Sequence, residues 1–146
     1  MPTSRAVLDA SAIVALVMRE RGADVIVKLI EAGVATTTPT GLAEALITCR
    51  RKGYNSSHDD LVDDLRNLGL TIEPLVEADA SEMAFLLARS DEIAARDKSK
   101  AQKAGKLSLG DVACLAVAQR LGASAVVSDG TWELLDVRGL QVLPFR

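Results

Sequence analysis

The stretch "KLSLGDVACLAVAQRLGASAVVSD", residues 106–129, decides how this chain folds. Its first part reads as a helix with apolar residues on nearly every side, so it must lie buried. Its last part, "ASAVVSD", reads as a short strand that ends at Asp129. A buried helix feeding a buried strand is the unit of a parallel sheet. Ser108 and Asp111 are three residues apart and precede the apolar run, which is the capping-box pattern. Asp111 also suits the positive end of the helix. From this stretch alone, Asp111 can be a cap or can carry chemistry, and both readings stay open.

The same alternation extends outward in both directions. "RAVLD" at 5–9 reads as a buried strand, followed by a helix at 11–20 that Ser11 is placed to cap. A helix at 23–33 stops at Gly33, and "VATTT" is a second strand. Pro39 and Thr40 mark the next helix, which runs to Gly53. "SHDDLVDDLRNLG" is amphipathic, with Leu61, Val62, Leu65 and Leu68 on its apolar side. "LTIEPL" is a third strand and 77–97 a long helix. "KSKAQKAGK" is a basic linker, "TWELLDVRG" a short helix and "LQVLPF" a fifth strand. The pattern predicts an α/β fold with a parallel sheet covered on both faces.

The chain has 146 residues, enough for a single domain over 1–146 with one sizeable core. Hydrophobic residues make up 49% and charged residues 25%, which excludes a disordered chain. The apolar run Val112 to Ala118, which no other run exceeds, is far short of the ~20 residues that span a bilayer. "MPTSRAVLDASA" is no signal peptide, so a cytoplasmic protein without a membrane partner is expected. Cys49 and Cys114 share no metal-type spacing and read as buried, reduced thiols. The single histidine, His58, sits among polar residues and offers no zinc site. The net charge of −3 argues against broad adhesion to nucleic acid, and four aromatic residues cannot make a base-stacking platform.

Most of the 20 acids must be solvated, but a few stand apart. Asp9 and Asp129 each end an apolar strand, and Asp111 opens the buried helix. Ligands of open parallel sheets bind beyond the carboxyl ends of the strands. Glu44 lies off the apolar side of its helix, on a stripe with Thr40 and Thr48. Each acid alone has an ordinary reading: a cap for Asp9 and Asp111, a turn for Asp129, a surface glutamate for Glu44. Together they would repel, because two carboxylates ~4 Å apart cost roughly 4 kcal/mol at an effective dielectric of 20. A histidine-free, oxygen-rich cluster suits Mg²⁺ or Mn²⁺.

The segments "VLDASA" at 7–12, "GLAEAL" at 41–46, "LSLGDVACLAVA" at 107–118 and "VVSDGTW" at 126–132 resemble the four motifs of PIN-domain ribonucleases. The resemblance is closest to the VapC-type toxins of toxin–antitoxin pairs, and the motif order fits the whole chain. It implies a three-layer α/β/α sandwich around a central parallel sheet of about five strands. It implies a metal-dependent endoribonuclease with a Mg²⁺ site, where Mn²⁺ substitutes. Carried over motif by motif, Asp9, Glu44, Asp111 and Asp129 match the acidic positions and Ser11 a hydroxyl near the first aspartate. Ser128 stands where a Thr or Ser often precedes the last acid. The resemblance also implies a cognate antitoxin protein and a homodimer.

An RNA substrate needs cations near the acids. Arg50, Arg51 and Lys52 end the Glu44 helix, and Lys98, Lys100, Lys103 and Lys106 lead into Asp111. Both clusters are equally explained by the helix dipole and by solubility. A dehalogenase-type phosphatase would need an aspartate at position 11, which is Ser11, and a dinucleotide fold would need a Gly-rich turn after the first strand. The remaining alternative is a catalytically silent PIN-like domain that binds RNA or protein.

Overall fold

The computed structural model describes residues 5–96, 107–128 and 139–146. Five strands are present among them: β1 (Ala6–Leu8), β2 (Ala35–Thr37), β3 (Thr71–Ile72), β4 (Ser124–Val127) and β5 (Gln141–Pro144). All pair in parallel, in the order β3-β2-β1-β4-β5. The order runs outward from β1 in both directions, so the gap between β1 and β4 is the switch point at which α/β sheets hold ligands. The helices are α1 (Ala10–Met18), α2 (Ala23–Glu31), α3 (Pro39–Arg51), α4 (His58–Leu68), α5 (Glu77–Arg96) and α6 (Leu109–Leu121).

Successive strand residues face opposite ways, and the core divides accordingly. Ala6, Leu8 and Val126 pack into a cluster with Ile13, Ile26, Ala45 and Leu61, which covers one face with α1 to α4. Val7, Ala125 and Val127 pack on the other face with Leu86, Leu115 and Val117 of α5 and α6. The parallel α/β/α sandwich is therefore the observed fold. Val112 to Ala118 are all at most 1% exposed, which is why α6 needs apolar residues on every side. Fully burying each of its large aliphatic side chains stabilises the fold by ~1.5–3 kcal/mol.

Polar groups inside the sheet are matched. Thr37 Oγ1 donates to the Leu8 carbonyl at 2.9 Å, and Thr36 Oγ1 donates to the Thr71 carbonyl at 3.1 Å. Arg120 of α6 grips Asp79 of α5 with two bonds, Nε to Oδ1 at 2.9 Å and Nη2 to Oδ2 at 3.1 Å. Burial pushes the Asp79 carboxyl up, but Arg120 more than offsets this and leaves it below the ordinary range. Both cysteines are free and buried, as expected.

Several elements differ from the sequence reading. The first helix is capped by Asp9, not by Ser11: Asp9 has extended backbone and its side chain accepts from Ala12 N. Ser11 lies inside the first turn and donates to Asp9 Oδ1 at 2.6 Å. That helix closes at Met18, where Arg19 takes a left-handed conformation with φ 55°. The third strand shrinks to Thr71–Ile72, an edge strand paired only with β2. The expected basic linker and the short helix after Asp129 lie outside the described residues. Among the described residues, no helix is long and apolar enough to cross a membrane.

Candidate active site

Asp9 stands at the carboxyl end of β1, next to the switch point. Its backbone N–H donates to the Val126 carbonyl of β4 at 3.0 Å, which fixes the two strand ends together. Asp9 Oδ1 accepts from Ser11 Oγ at 2.6 Å and Ala12 N at 2.8 Å. The carboxylate is only 3% exposed. Burial raises it from the ordinary 3.8 to about 6, against the lowering by its two hydrogen bonds; Asp111 adds to the rise.

That shift has a definite consequence for stability. The folded chain holds the Asp9 proton more tightly than an unfolded one does. The resulting stabilisation is fully present below pH 3.8 and is lost as pH rises through about 6. Above that pH the buried charge costs roughly 3 kcal/mol unless a cation offsets it.

Asp111 completes a capping box on α6. Ser108 Oγ accepts from Asp111 N at 3.1 Å, and Ser108 N donates to Asp111 Oδ2 at 2.8 Å. Burial raises the Asp111 carboxyl, the Ser108 bonds lower it, and the Glu44 charge raises it again. Glu44 comes from the second turn of α3 and is half-buried. Its carboxyl lies over Gly110, where an added Cβ would come within 2.5 Å of Glu44 Cδ and Oε2. Gly110 thus makes a notch for the glutamate, and Glu44 is not an open surface residue.

These three carboxylates line one cleft of about 310 Å³, together with Ser11, Thr48, Ser108 and Ser128. Glu20, Lys52 and Arg146 also line it, and the Arg146 charge lowers the Asp9 carboxyl slightly. Asp129 lies outside the described residues, as do Lys98, Lys100, Lys103 and Lys106. Of the other three candidate cations, only Lys52 reaches the cleft. Arg50 is exposed and donates to the Ser56 carbonyl at 3.1 Å, and Arg51 is exposed. His58 is the exposed first residue of α4, behind the Ser57 cap, and does not line the cleft.

Among the described residues, no three His, Cys, Asp or Glu side chains close into a metal cage. The donor set nevertheless suits a hard divalent cation. Asp9 and Asp111 each spend one oxygen on a helix start, and no described residue bonds the second. Mg²⁺ keeps several waters and takes only one or two carboxylates. Burial raises the Asp9 and Asp111 carboxyls, and a cation held between them would offset that cost.

Sequence reasoning did not single out Glu20, Arg146 or Gly110 as parts of this cleft, whereas Thr48 lines it on the stripe it shares with Glu44. Glu20, Lys52 and Arg146 come from three segments far apart in the chain, so no spacing pattern announces them. The "SLGD" motif carried Gly110 in plain view, but its role needs the facing Glu44 carboxyl to be seen.

The chain is similar to solved structures. One is a chain of a toxin–antitoxin complex from Klebsiella pneumoniae, 16% identical, with a TM-score of 0.53; the match covers 92% of this chain and 94% of that one. Another is a crystal structure of a Pyrobaculum aerophilum protein, 17% identical, with a TM-score of 0.49 and 96% and 84% of the two chains covered. No curated protein sequence matches the chain. The sequence profile of the PIN domain matches residues 6–137, which spans β1, the cleft carboxylates and β4, and the chain belongs to the PIN-domain family.

Proposed function

We propose that this protein is a divalent-metal-dependent endoribonuclease and the toxin of a toxin–antitoxin pair. The observation that carries the reading is the gathering of Asp9, Glu44 and Asp111 in one cleft at the β1–β4 switch point, with no histidine among its described lining residues. Membership of the PIN family supports nuclease chemistry. The toxin assignment draws its support from the motif resemblance and from the fold shared with a chain of the Klebsiella complex.

In this reading Asp9 and Asp111 hold a Mg²⁺ ion, with Glu44 and Asp129 completing the site directly or through waters. Mn²⁺ substitutes. The ion, when bound, lowers the pKa of water and stabilises charge on the scissile phosphate. The chain's own residues do the positioning. Ser11 and the Ala12 N–H fix Asp9 Oδ1, and the Ser108 N–H fixes Asp111 Oδ2. Gly110 leaves room for the Glu44 carboxyl at the start of α6, where its charge acts on Asp111. Hydrolysis by water leaves a 5′-phosphate and a 3′-hydroxyl, since no histidine is placed for a cyclic-phosphate route. The partners are RNA, a cognate antitoxin that masks the acids, and a second copy of the chain in a homodimer, in the cytoplasm.

The test is cleavage of structured RNA with Mg²⁺ or Mn²⁺, with EDTA and Asp9→Asn as controls. Loss of cleavage in both controls, with 5′-phosphate products, is expected. Cleavage that survives EDTA refutes metal dependence, and no cleavage of any RNA favours a silent binding domain.

A further inference from the structure

The lining of the cleft also holds a carboxylate set between two cations. Glu20 Oε2 meets Lys52 Nζ at 2.5 Å, and Glu20 Oε1 faces Arg146 Nη1 at 3.7 Å. Each oxygen of one anion therefore has its own cation. A phosphodiester also presents two anionic oxygens on one atom, and Lys and Arg are the side chains that bind it. Lys52 holds the Glu20 carboxyl below its ordinary range, so Glu20 is charged whenever the cleft works at neutral pH.

All three side chains are built into position. Arg19 ends α1 in the left-handed region, φ 55°, an arrangement that non-glycine residues rarely adopt. Glu20 N then donates to the Ala15 carbonyl at 2.9 Å, which turns Glu20 back along α1. Lys52 is the C-cap of α3, the helix that carries Glu44. Arg146 follows Phe145, which is 5% exposed and bonded through its N–H to the Val127 carbonyl at 3.0 Å. Gly22, with φ +91°, makes the seat for Phe145: an added Cβ would lie 2.6 Å from the Phe145 ring. The Arg146 guanidinium sits 5.2 Å from the centre of that ring.

We propose that Lys52 and Arg146 form the seat for an RNA backbone phosphate next to the scissile one, and that Glu20 occupies this seat until RNA displaces it. The inference rests on the ribonuclease reading and deepens it. It makes Lys52 and Arg146 substrate-positioning residues and Glu20 an internal counter-ion that substrate must outcompete. Four carboxylates against two cations line the described cleft. Among the described lining residues, these two are therefore the cations that can attract an RNA strand crossing the acids, once they are released.

Two readouts test this, one without metal or RNA. In EDTA, inorganic phosphate should raise the melting temperature of Glu20→Gln and barely move the wild type. The gain should vanish in the Glu20→Gln/Lys52→Gln/Arg146→Gln variant and be missing from Asp24→Asn, an exposed charge removal on α2. In RNA cleavage, Arg146→Gln and Lys52→Gln should each raise KM, by about threefold or more, further than they lower kcat. Each should also flatten the salt dependence of kcat/KM by about 0.7 in log–log slope, one phosphate contact on a single strand. Glu20→Gln should lower KM. If RNA is cleaved but Glu20→Gln takes no phosphate and Arg146→Gln keeps the wild-type KM, the seat is refuted and the nuclease reading stands. If Glu20→Gln takes phosphate but no RNA is cleaved, the anion seat is supported and the nuclease reading falls.

Discussion

Replacing Gly110 with alanine separates the shape of the cleft from the stability of the fold. An added Cβ would lie 2.5 Å from Glu44 Cδ, 2.5 Å from Oε2 and 2.8 Å from Oε1. Non-bonded carbons settle at about 3.5–4.0 Å, so the carboxyl must retreat by about 1 Å. The three nearest atoms all belong to the end of the Glu44 side chain, which can swing without moving backbone. Gly110 is the second residue of α6 and is not among the residues with positive φ. Alanine there improves helix propensity by up to ~1 kcal/mol, which raises the melting temperature by a few degrees. Displacing a catalytic group by about 1 Å costs on the order of 10²-fold in rate. Gly110→Ala should therefore melt at or above wild type and cleave RNA about 100-fold more slowly. A double-mutant cycle makes the cause explicit: the alanine should cost almost nothing in a Glu44→Gln background, where there is no carboxylate left to displace. A Gly110→Ala protein with wild-type activity, or one equally impaired with and without Glu44, refutes the claim that this notch positions Glu44.

Three further outcomes follow from the same geometry. Asp9→Asn should raise the melting temperature at pH 8 in EDTA by several degrees, because it removes a buried charge that costs roughly 3 kcal/mol above pH 6 while keeping an acceptor for Ser11 and Ala12. Added Mg²⁺ should stabilise wild type more at pH 8 than at pH 5 and leave Asp9→Asn unmoved; a mutant that melts below wild type in EDTA contradicts the buried-charge argument. Asp111→Asn should lose activity by 100-fold or more with its fold kept, since an amide oxygen can still accept from Ser108 N; nuclease assay and melting measured together decide it, and an active mutant returns Asp111 to a purely capping role. Neither thiol should react with an aromatic disulfide reagent until the chain unfolds, because Cys49 and Cys114 are at most 1% exposed and burial pushes both thiols up; rapid labelling of the folded protein would refute this.

The order of elements was legible because burial on both sheet faces forces long apolar runs into short strands and into α6. Pro39 marked the start of α3 because its ring suits the first helical turn, and Thr38 supplies the cap just before it. The capping box at Ser108 and Asp111 was equally plain. The start of α1 is ambiguous in the sequence because "DASA" offers two capping side chains two residues apart, and only backbone geometry shows that Asp9 is the extended one. Edge strand β3 was overestimated because its apolar residues extend beyond the two that pair with β2. The three cations at 50–52 could not be sorted by type. Successive residues at a helix end point in different directions, so one run cannot face one cleft, and only Lys52 does. Arg146 was invisible because its place depends on Phe145 fitting against Gly22, a contact between opposite ends of the chain.

In the proposed reading, capping and ligation do not compete at Asp9 and Asp111. Each aspartate spends one oxygen on the first turn of a helix, Asp9 on Ala12 N and Asp111 on the Ser108 N–H of its capping box. That bond restrains the side-chain torsions and leaves the second oxygen without a bond from any described residue, in a cleft that both aspartates line. The helices that supply the caps are anchored by residues with almost no exposure, Ile13 on α1 and Leu115 on α6. The carboxylates therefore inherit the rigidity of two core helices on opposite faces of the sheet. The positive ends of those helices also offset part of the repulsion that gathering acids creates before any cation arrives. A short side chain is needed at both positions, because a longer one could still cap while carrying its carboxyl away from the other. Helix starts give a parallel sheet a way to hold acids close, and the same hydrogen bonds that begin the helices set the shape of the site.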